Sequence, residues 1–104
     1  MQLLGEKRVC SYNVRSVGRF YTPQECARDC REKNIESFVG VINFERPMNC
    51  HVETGKCACQ CDVSTSPCVM DRNAVYNVYN VSDGEFILEM VTNLIAFYKI
   101  VLHF

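Results

Sequence analysis

The motifs of the commonest enzyme classes are missing from this chain, which has no tryptophan and only two histidines. It contains no glycine-rich phosphate loop, no Gly-x-Ser-x-Gly elbow and no His-Glu-x-x-His pair. It also lacks Cys-x-x-Cys, the spacing of thioredoxin-type redox centres. We therefore expect no catalytic residue, no cofactor and no enzyme activity.

The chain also lacks an excess of charge of either sign and a long apolar run at its N-terminus. The formal net charge is −1 at a sequence pI of about 6.1, so the composition provides no broad basic surface for nucleic acid. The opening residues, MQLLGEKRVC, lack the apolar core of about seven residues that a signal peptide requires. We expect no signal peptide in this chain, so a secreted origin would make it a mature piece or a fragment.

Cysteine is the residue that the chain has in excess, with eight among 104 residues. Such a share in a short chain is typical of a disulfide scaffold, and an even count suits complete pairing. Because reducing compartments keep thiols reduced, the pattern predicts a protein that is secreted or displayed on the extracellular face of the cell. The predicted disulfide cysteines are Cys10, Cys26, Cys30, Cys50, Cys57, Cys59, Cys61 and Cys68.

The segment Thr22–Asn34, TPQECARDCREKN, predicts a short helix that has almost no apolar face. Its first residue is a favourable N-cap, a proline follows at the first helical position, and Glu25 completes a capping box. Cys26 and Cys30 are four residues apart and therefore lie on one face of the helix. Two thiols on an otherwise polar helix indicate covalent attachment, with metal binding as the rival use.

Short β-branched and aromatic stretches predict the strands. The first strand is placed near Val9–Val14, and a loop leads from it to the helix. Ser37–Phe44 is apolar on both faces, as in a central strand. Cys50–Glu53 and Lys56–Asp62 are the arms of a predicted hairpin, and the three cysteines of the second arm alternate toward one side. Ala74–Val81, AVYNVYNV, alternates strictly and is the clearest strand.

The last residues, 82–104, differ in character because they contain no cysteine and are mostly apolar. Apolar residues recur at helical spacing, but Glu89, Asn93 and Lys99 interrupt them, which argues against a membrane span. Three interpretations stay open. The segment is an amphipathic helix that packs on the domain or a partner, a segment that contacts or anchors to lipid, or a tail outside the native fold.

The order of these elements resembles an apple/PAN domain. A cysteine precedes a capped helix that carries CARDC, and then follow SFVGVINF, the Cys-x-Cys element CAC and the tyrosine-rich VYNVYNV. The resemblance covers residues 9–81, and residues 82–104 form a separate tail. It implies a small disulfide-rich α+β domain in which a twisted antiparallel sheet packs on one short helix.

The resemblance also implies a set of disulfides. Cys26 and Cys30 would bond to cysteines within residues 50–61, and Cys10 would pair most simply with Cys68. The run of cysteines at 57, 59 and 61 is denser than the usual pattern of the family, so the remaining bridge is left unassigned.

The function implied by the resemblance is extracellular recognition of a protein or glycan ligand, without catalysis. The proposed ligand-binding residues are Phe20, Tyr21, Arg46 and Tyr76, and Asn80 begins a glycosylation sequon. One alternative is a stand-alone secreted toxin or inhibitor. A second alternative is a cysteine-rich metal-binding protein that uses the Cys-x-Cys-x-Cys run, and we assign no metal ligands. We expect no nucleic-acid partner, and the tail is the one segment considered for membrane contact, as one of its three open interpretations.

Overall fold

The structure is a computed structural model that describes residues 1–33, 38–63 and 67–81. Within these ranges the chain forms one α-helix, seven β-strands and one short 3-10 helix. In chain order the elements are β1 (Gln2–Gly5), β2 (Arg8–Cys10), β3 (Val14–Phe20), α1 (Pro23–Glu32), β4 (Val41–Glu45), the 3-10 helix (Pro47–Asn49), β5 (Cys57–Asp62), β6 (Met70–Arg72) and β7 (Tyr76–Asn80).

Five of the strands form an antiparallel sheet in the order β1-β7-β4-β5-β3, and β2 pairs with β6 in a separate two-stranded sheet. The fold is therefore α+β and disulfide-rich, as predicted. β4 lies in the middle of the larger sheet, so a central strand is present as predicted, but it spans Val41–Glu45 and leaves residues 38–40 of the predicted Ser37–Phe44 outside it. Its residues are buried on both faces, with Ile42 and Phe44 toward α1 and Asn43 and Glu45 on the opposite side.

Helix α1 begins as the sequence predicts. The Thr22 side chain accepts a hydrogen bond from the backbone N–H of Glu25 at 3.1 Å, and its hydroxyl also donates to the Glu25 carboxylate at 3.2 Å. These bonds satisfy a backbone donor that would otherwise lack a partner in the first turn. The helix ends at Glu32, and the predicted end at Asn34 lies outside the described residues. Cys26, Ala27 and Cys30 are its only buried residues.

Two disulfides fasten this polar helix to the sheet. Cys26 is bonded to Cys59 and Cys30 to Cys61, so both bridges join α1 to β5. The bonding partners lie within residues 50–61, as the resemblance implied. Alternation along β5 explains the arrangement, because residues two apart on a strand project from the same face. The third cysteine of the run, Cys57, is bonded to Cys50 instead, which is the bridge that had been left unassigned.

The core between α1 and the sheet is small, and sulfur occupies much of it. Ile42 and Phe44 supply its largest apolar side chains, and Val81 closes one end. Each bridge contributes about 2–4 kcal/mol, which equals or exceeds the roughly 1.5–3 kcal/mol gained by burying one large aliphatic side chain. The buried cysteines of this core are Cys26, Cys30, Cys57, Cys59 and Cys61.

A buried asparagine joins the two sheets on the opposite side of β4. Asn43 is fully buried, and its carbonyl oxygen accepts from the backbone N–H of Cys10 at 2.8 Å. Its amide donates to the Cys10 carbonyl and to the Gln60 side chain, both at 2.9 Å. Cys10 is itself bonded to Cys68, as the resemblance implied. Strand β2 is therefore held by the backbone hydrogen bonds of Cys10 to Asn43 and by the disulfide of the Cys10 side chain.

The predicted first strand, Val9–Val14, is wrong in its extent. The strand in that region is only Arg8–Cys10, and the segment predicted as a loop contains the seven-residue strand β3. β3 pairs with β5 along its length, with a bulge between Ser16 and Gly18. Gly18 adopts φ +123°, which only glycine tolerates easily, so the residue that reads as a strand breaker is the one that allows the bulge.

The predicted hairpin is also wrong, because Cys50–Glu53 is not a strand. This segment follows the 3-10 helix and forms turns, while β5 pairs with β3 and β4 instead. The disulfide between Cys50 and Cys57 joins the two ends of residues 50–57. In a hairpin, backbone hydrogen bonds between the two arms would have this role.

The tyrosine-rich strand is present as β7, Tyr76–Asn80, paired with β4 on one side and β1 on the other. The predictions for residues 82–104 fall outside the described residues. In the part of the chain that the structure describes, no helix is both long and apolar enough to cross a membrane.

Candidate functional site

A cleft of about 430 Å³ opens where the start of α1 faces the end of β4 and the segment that follows it. We call it the loop cleft. Its floor is formed by buried residues of the sheet, Phe44 and Cys57, and its walls come from segments far apart in the sequence. The lining residues are Tyr21, Pro23, Phe44, Glu45, Pro47, Met48, Cys50, His51, Val52, Gly55, Cys57 and Tyr79.

The wall formed by residues 50–57 is a closed loop with its own hydrogen bonds. The Cys50–Cys57 disulfide joins its ends. Inside it, the N–H of Gly55 donates to the His51 carbonyl at 2.8 Å, and the N–H of His51 donates to the Lys56 carbonyl at 3.0 Å. Gly55 adopts φ +69°, the left-handed conformation that lets the chain reverse. The loop therefore holds its shape through its own bonds, and its two terminal cysteines attach it to the core.

The rim of the loop cleft is apolar and open to solvent. Tyr21 is 59% exposed, Met48 is 77% exposed and Val52 is 97% exposed. The Lys56 ammonium lies 5.1 Å from the centroid of the Tyr21 ring, a cation–π contact that favours one orientation of the ring. Exposed apolar side chains around a concave surface are the usual mark of an interaction site, because single exposed residues are common but grouped ones are not.

Two polar side chains of the loop cleft are already paired with the protein. Glu45 accepts from the Arg19 guanidinium at 3.0 Å and from the backbone N–H of Ala58 at 3.3 Å. His51 Nδ1 accepts from the backbone N–H of Thr54 at 3.3 Å. A ligand would therefore find an apolar rim, together with the hydroxyls of the two lining tyrosines, Tyr21 and Tyr79.

Of the four proposed ligand-binding residues, the structure brings only Tyr21 to the loop cleft. Phe20 is half-buried and packs against the core. Arg46 donates to the Ala74 carbonyl at 3.3 Å and lies 3.8 Å from the Glu6 carboxylate, with only 13% of its side chain exposed.

Tyr76 is half-buried on β7, directly opposite Glu45 in the register. Burial raises the pKa of its phenol above the ordinary value of 10.0, the nearby Glu45 carboxylate raises it further, and Arg19 lowers it in part. Tyr76 does not line the loop cleft. Its hydroxyl is therefore held in the neutral form by its surroundings.

Met48, Val52 and Tyr79 line the cleft but were not among the predicted site residues. Met48 lies in the 3-10 helix and Val52 in a turn, and both side chains are exposed. An apolar residue in such a short connecting segment is a signal that sequence reasoning could have used. Tyr79 belongs to the strictly alternating strand, and only the strand order shows which of its tyrosines faces α1.

Asn80, the predicted glycosylation site, is half-buried on β7, where its backbone lies between Val41 of β4 and Gln2 of β1. The rest of its sequon falls partly outside the described residues. Glycosylation at Asn80 stays a prediction.

All eight cysteines are engaged in disulfides. The sulfur atoms of Cys26, Cys30 and Cys59 lie within 4.8 Å of one another, a spacing that would suit a metal ion if they were thiolates. In the described structure they are bonded to sulfur, so they offer thiolate ligands only after reduction.

No family model, curated protein or solved structure matches the chain.

Proposed function

We propose that the chain is an extracellular recognition module of the apple/PAN type that binds a protein ligand through the loop cleft. The observation that carries the proposal is the group of exposed apolar side chains, Tyr21, Met48 and Val52, around a cleft with a covalently fixed wall. Aromatic residues and methionine are enriched at protein interfaces, and a rigid surface loses little conformational entropy on binding.

A protein ligand is favoured over a glycan by the apolar rim of the loop cleft and by the internal pairing of Glu45 and His51. Sugar recognition requires several hydrogen-bonding groups that are open to the ligand. Here Glu45 is paired with Arg19, and His51 Nδ1 is paired within its own loop. An aliphatic or aromatic side chain of a partner fits the cleft better, since it gains contact area with the exposed side chains of Tyr21, Met48 and Val52 and leaves the paired Glu45 undisturbed.

The disulfide content supports an extracellular location. Four bridges persist only where the surroundings are oxidising, as in secreted and cell-surface proteins. The resemblance to apple/PAN domains rests on the order of the elements along the chain, from the capped helix through the Cys-x-Cys strand to the tyrosine-rich strand.

The test presents the oxidised chain to a panel of purified extracellular proteins and to a glycan array. Met48→Glu and Val52→Glu place a charge on the rim, and Val69→Glu is the matched control because Val69 is 63% exposed and does not line the cleft. We expect binding to a protein that weakens by about tenfold or more in both rim variants, which corresponds to about 1.4 kcal/mol, and is unchanged in the control. Binding to glycans alone, binding to neither set, or equal loss in the Val69 variant would contradict the proposal.

A further inference from the structure

Two arginines stand directly opposite each other in the small sheet. The register of β2 and β6 places Arg8 across from Arg72. Like charges directly opposite in an antiparallel pair destabilise the pairing. In the described residues, neither guanidinium forms an ion pair with a carboxylate that would offset this repulsion.

A third cation, Lys7, is held beside this pair by its backbone. Lys7 adopts φ +53°, and its N–H donates to the Asn77 side chain at 2.9 Å while its carbonyl accepts from the N–H of Asn73 at 3.0 Å. The left-handed conformation is unusual for a residue with a long side chain, and these two bonds maintain it. These bonds to the Lys7 backbone therefore fix the position of its Cα and Cβ atoms.

The stem of Arg8 is also fixed by packing. A side-chain carbon added at Gly5 would lie 2.9 Å from Arg8 Cγ and 2.9 Å from the Met70 sulfur, so the glycine leaves room that these two side chains use. The absence of a side chain at Gly5 therefore lets Arg8 lie close against β1.

The three cations line one cleft of about 360 Å³, together with Glu6, Asn73 and Ala74. Glu6 is the one acidic residue that lines it, and its carboxylate lies 3.8 Å from the Arg46 guanidinium. The cleft is separate from the loop cleft, with which it shares no lining residue. We call it the basic cleft.

We propose that the basic cleft binds a tetrahedral oxyanion, the sulfate or phosphate group of a ligand. A guanidinium presents parallel N–H donors that match two oxygens of such a group, and two guanidinia with one ammonium suit an anion of more than one negative charge. Binding would convert the repulsion between Arg8 and Arg72 into shared attraction to the anion. This site is independent of the proposed function, because it uses different residues and a different chemistry.

The test is an NMR titration of the whole oxidised chain with sodium sulfate and with sodium phosphate, each against sodium chloride at equal ionic strength. We expect saturable shifts of the backbone amides of Lys7, Arg8, Arg72 and Asn73 with the divalent anions and not with chloride. The comparison of sulfate with phosphate identifies which group is preferred.

Arg72→Gln is expected to weaken the apparent affinity by at least about tenfold, while Arg15→Gln, which removes an equal charge elsewhere, leaves it within about twofold. Thermal unfolding gives a second measurement. Sulfate should raise the Tm of the parent more than that of Arg72→Gln, beyond the general stabilisation by sulfate that both share. Three results would overturn the proposal. They are chemical-shift changes that do not saturate, equal weakening of the affinity in Arg72→Gln and Arg15→Gln, and an equal sulfate-induced rise in Tm for the parent and Arg72→Gln.

Discussion

Removing one of the two bridges that join α1 to β5 is expected to cost much less than removing both. Each bridge is removed by replacing both of its cysteines: Cys26→Ala with Cys59→Ala removes one, and Cys30→Ala with Cys61→Ala removes the other. When one bridge is already present, the second bridge closes only a small additional loop. This loop consists of four residues along the helix, from Cys26 to Cys30, and two along the strand, from Cys59 to Cys61. The helix therefore stays tethered, and the unfolded chain gains little additional freedom.

The loop lengths give the magnitudes. Closing a loop of about six residues is worth about 2 kcal/mol in the chain-entropy model. Once one bridge is absent, the other closes a loop between residues separated by 31 or 33 positions, which is worth about 3.5 kcal/mol. The loss on removing both should exceed the sum of the two single losses by about 1.5 kcal/mol. All four cysteines are almost completely buried, so each variant also loses packing, and this loss cancels from the difference only where the two packing losses add. The sulfurs of Cys26, Cys30 and Cys59 are neighbours, so any packing coupling between the bridges is added to the entropic excess.

The assay is guanidinium unfolding followed by far-UV circular dichroism, with intact mass used to verify the remaining bridges. A domain of this size is stabilised by about 5–15 kcal/mol, so the variant without either bridge is near the limit of stability. All four proteins of the cycle are therefore measured in the same concentration of a stabilising osmolyte such as trimethylamine N-oxide. Single losses of about 3.5 kcal/mol each, with no excess in the combined variant, would refute the shared-loop reasoning.

Three further predictions concern single side chains. Thr22→Ala should lower the free energy of unfolding by about 1 kcal/mol because the helix loses its N-cap, whereas Thr22→Ser should retain most of it, as measured by guanidinium unfolding. Asn43→Ala should cost at least about 2 kcal/mol, since it leaves the buried N–H and carbonyl of Cys10 without their side-chain partner, and loss of protection of that amide in hydrogen exchange checks the cause. The raised pKa of Tyr76 means that the folded state holds the phenol proton more tightly than the unfolded state, so its contribution to stability is complete below pH 10 and is lost as the pH rises further. Tyr76→Phe should make the fall in stability above pH 10 shallower, and Tyr12→Phe, at an exposed ring, should not.

Local chemistry in the sequence was sufficient for the elements that depend on neighbouring residues. The cap of α1 and the tyrosine-rich strand are set by adjacent side chains, and both are present in the structure, although the strand covers Tyr76–Asn80 within the predicted Ala74–Val81. The alternation of cysteines in β5 likewise placed three sulfurs on one face before any partner was known. These features require only backbone geometry.

The features that sequence reasoning missed depend on contacts between distant segments. β3 looks like a loop because Gly18 interrupts it, and its pairing partner β5 lies far along the chain. The burial of Asn43 cannot be read from its neighbours, since it depends on Cys10 arriving from 33 residues away. The loop cleft combines Tyr21 with Met48, Val52 and Tyr79, which no local pattern connects.

The closed loop between Cys50 and Cys57 has a consequence for how the surface can change. Its ends are joined covalently, its turns are held by internal hydrogen bonds, and residues such as Val52 project away from the core. Substitutions there should be absorbed locally, with little effect on folding. The loop is thus a position where new sequences can be grafted. Selection for a different partner can then change the loop while the stability of the sheet and helix stays the same.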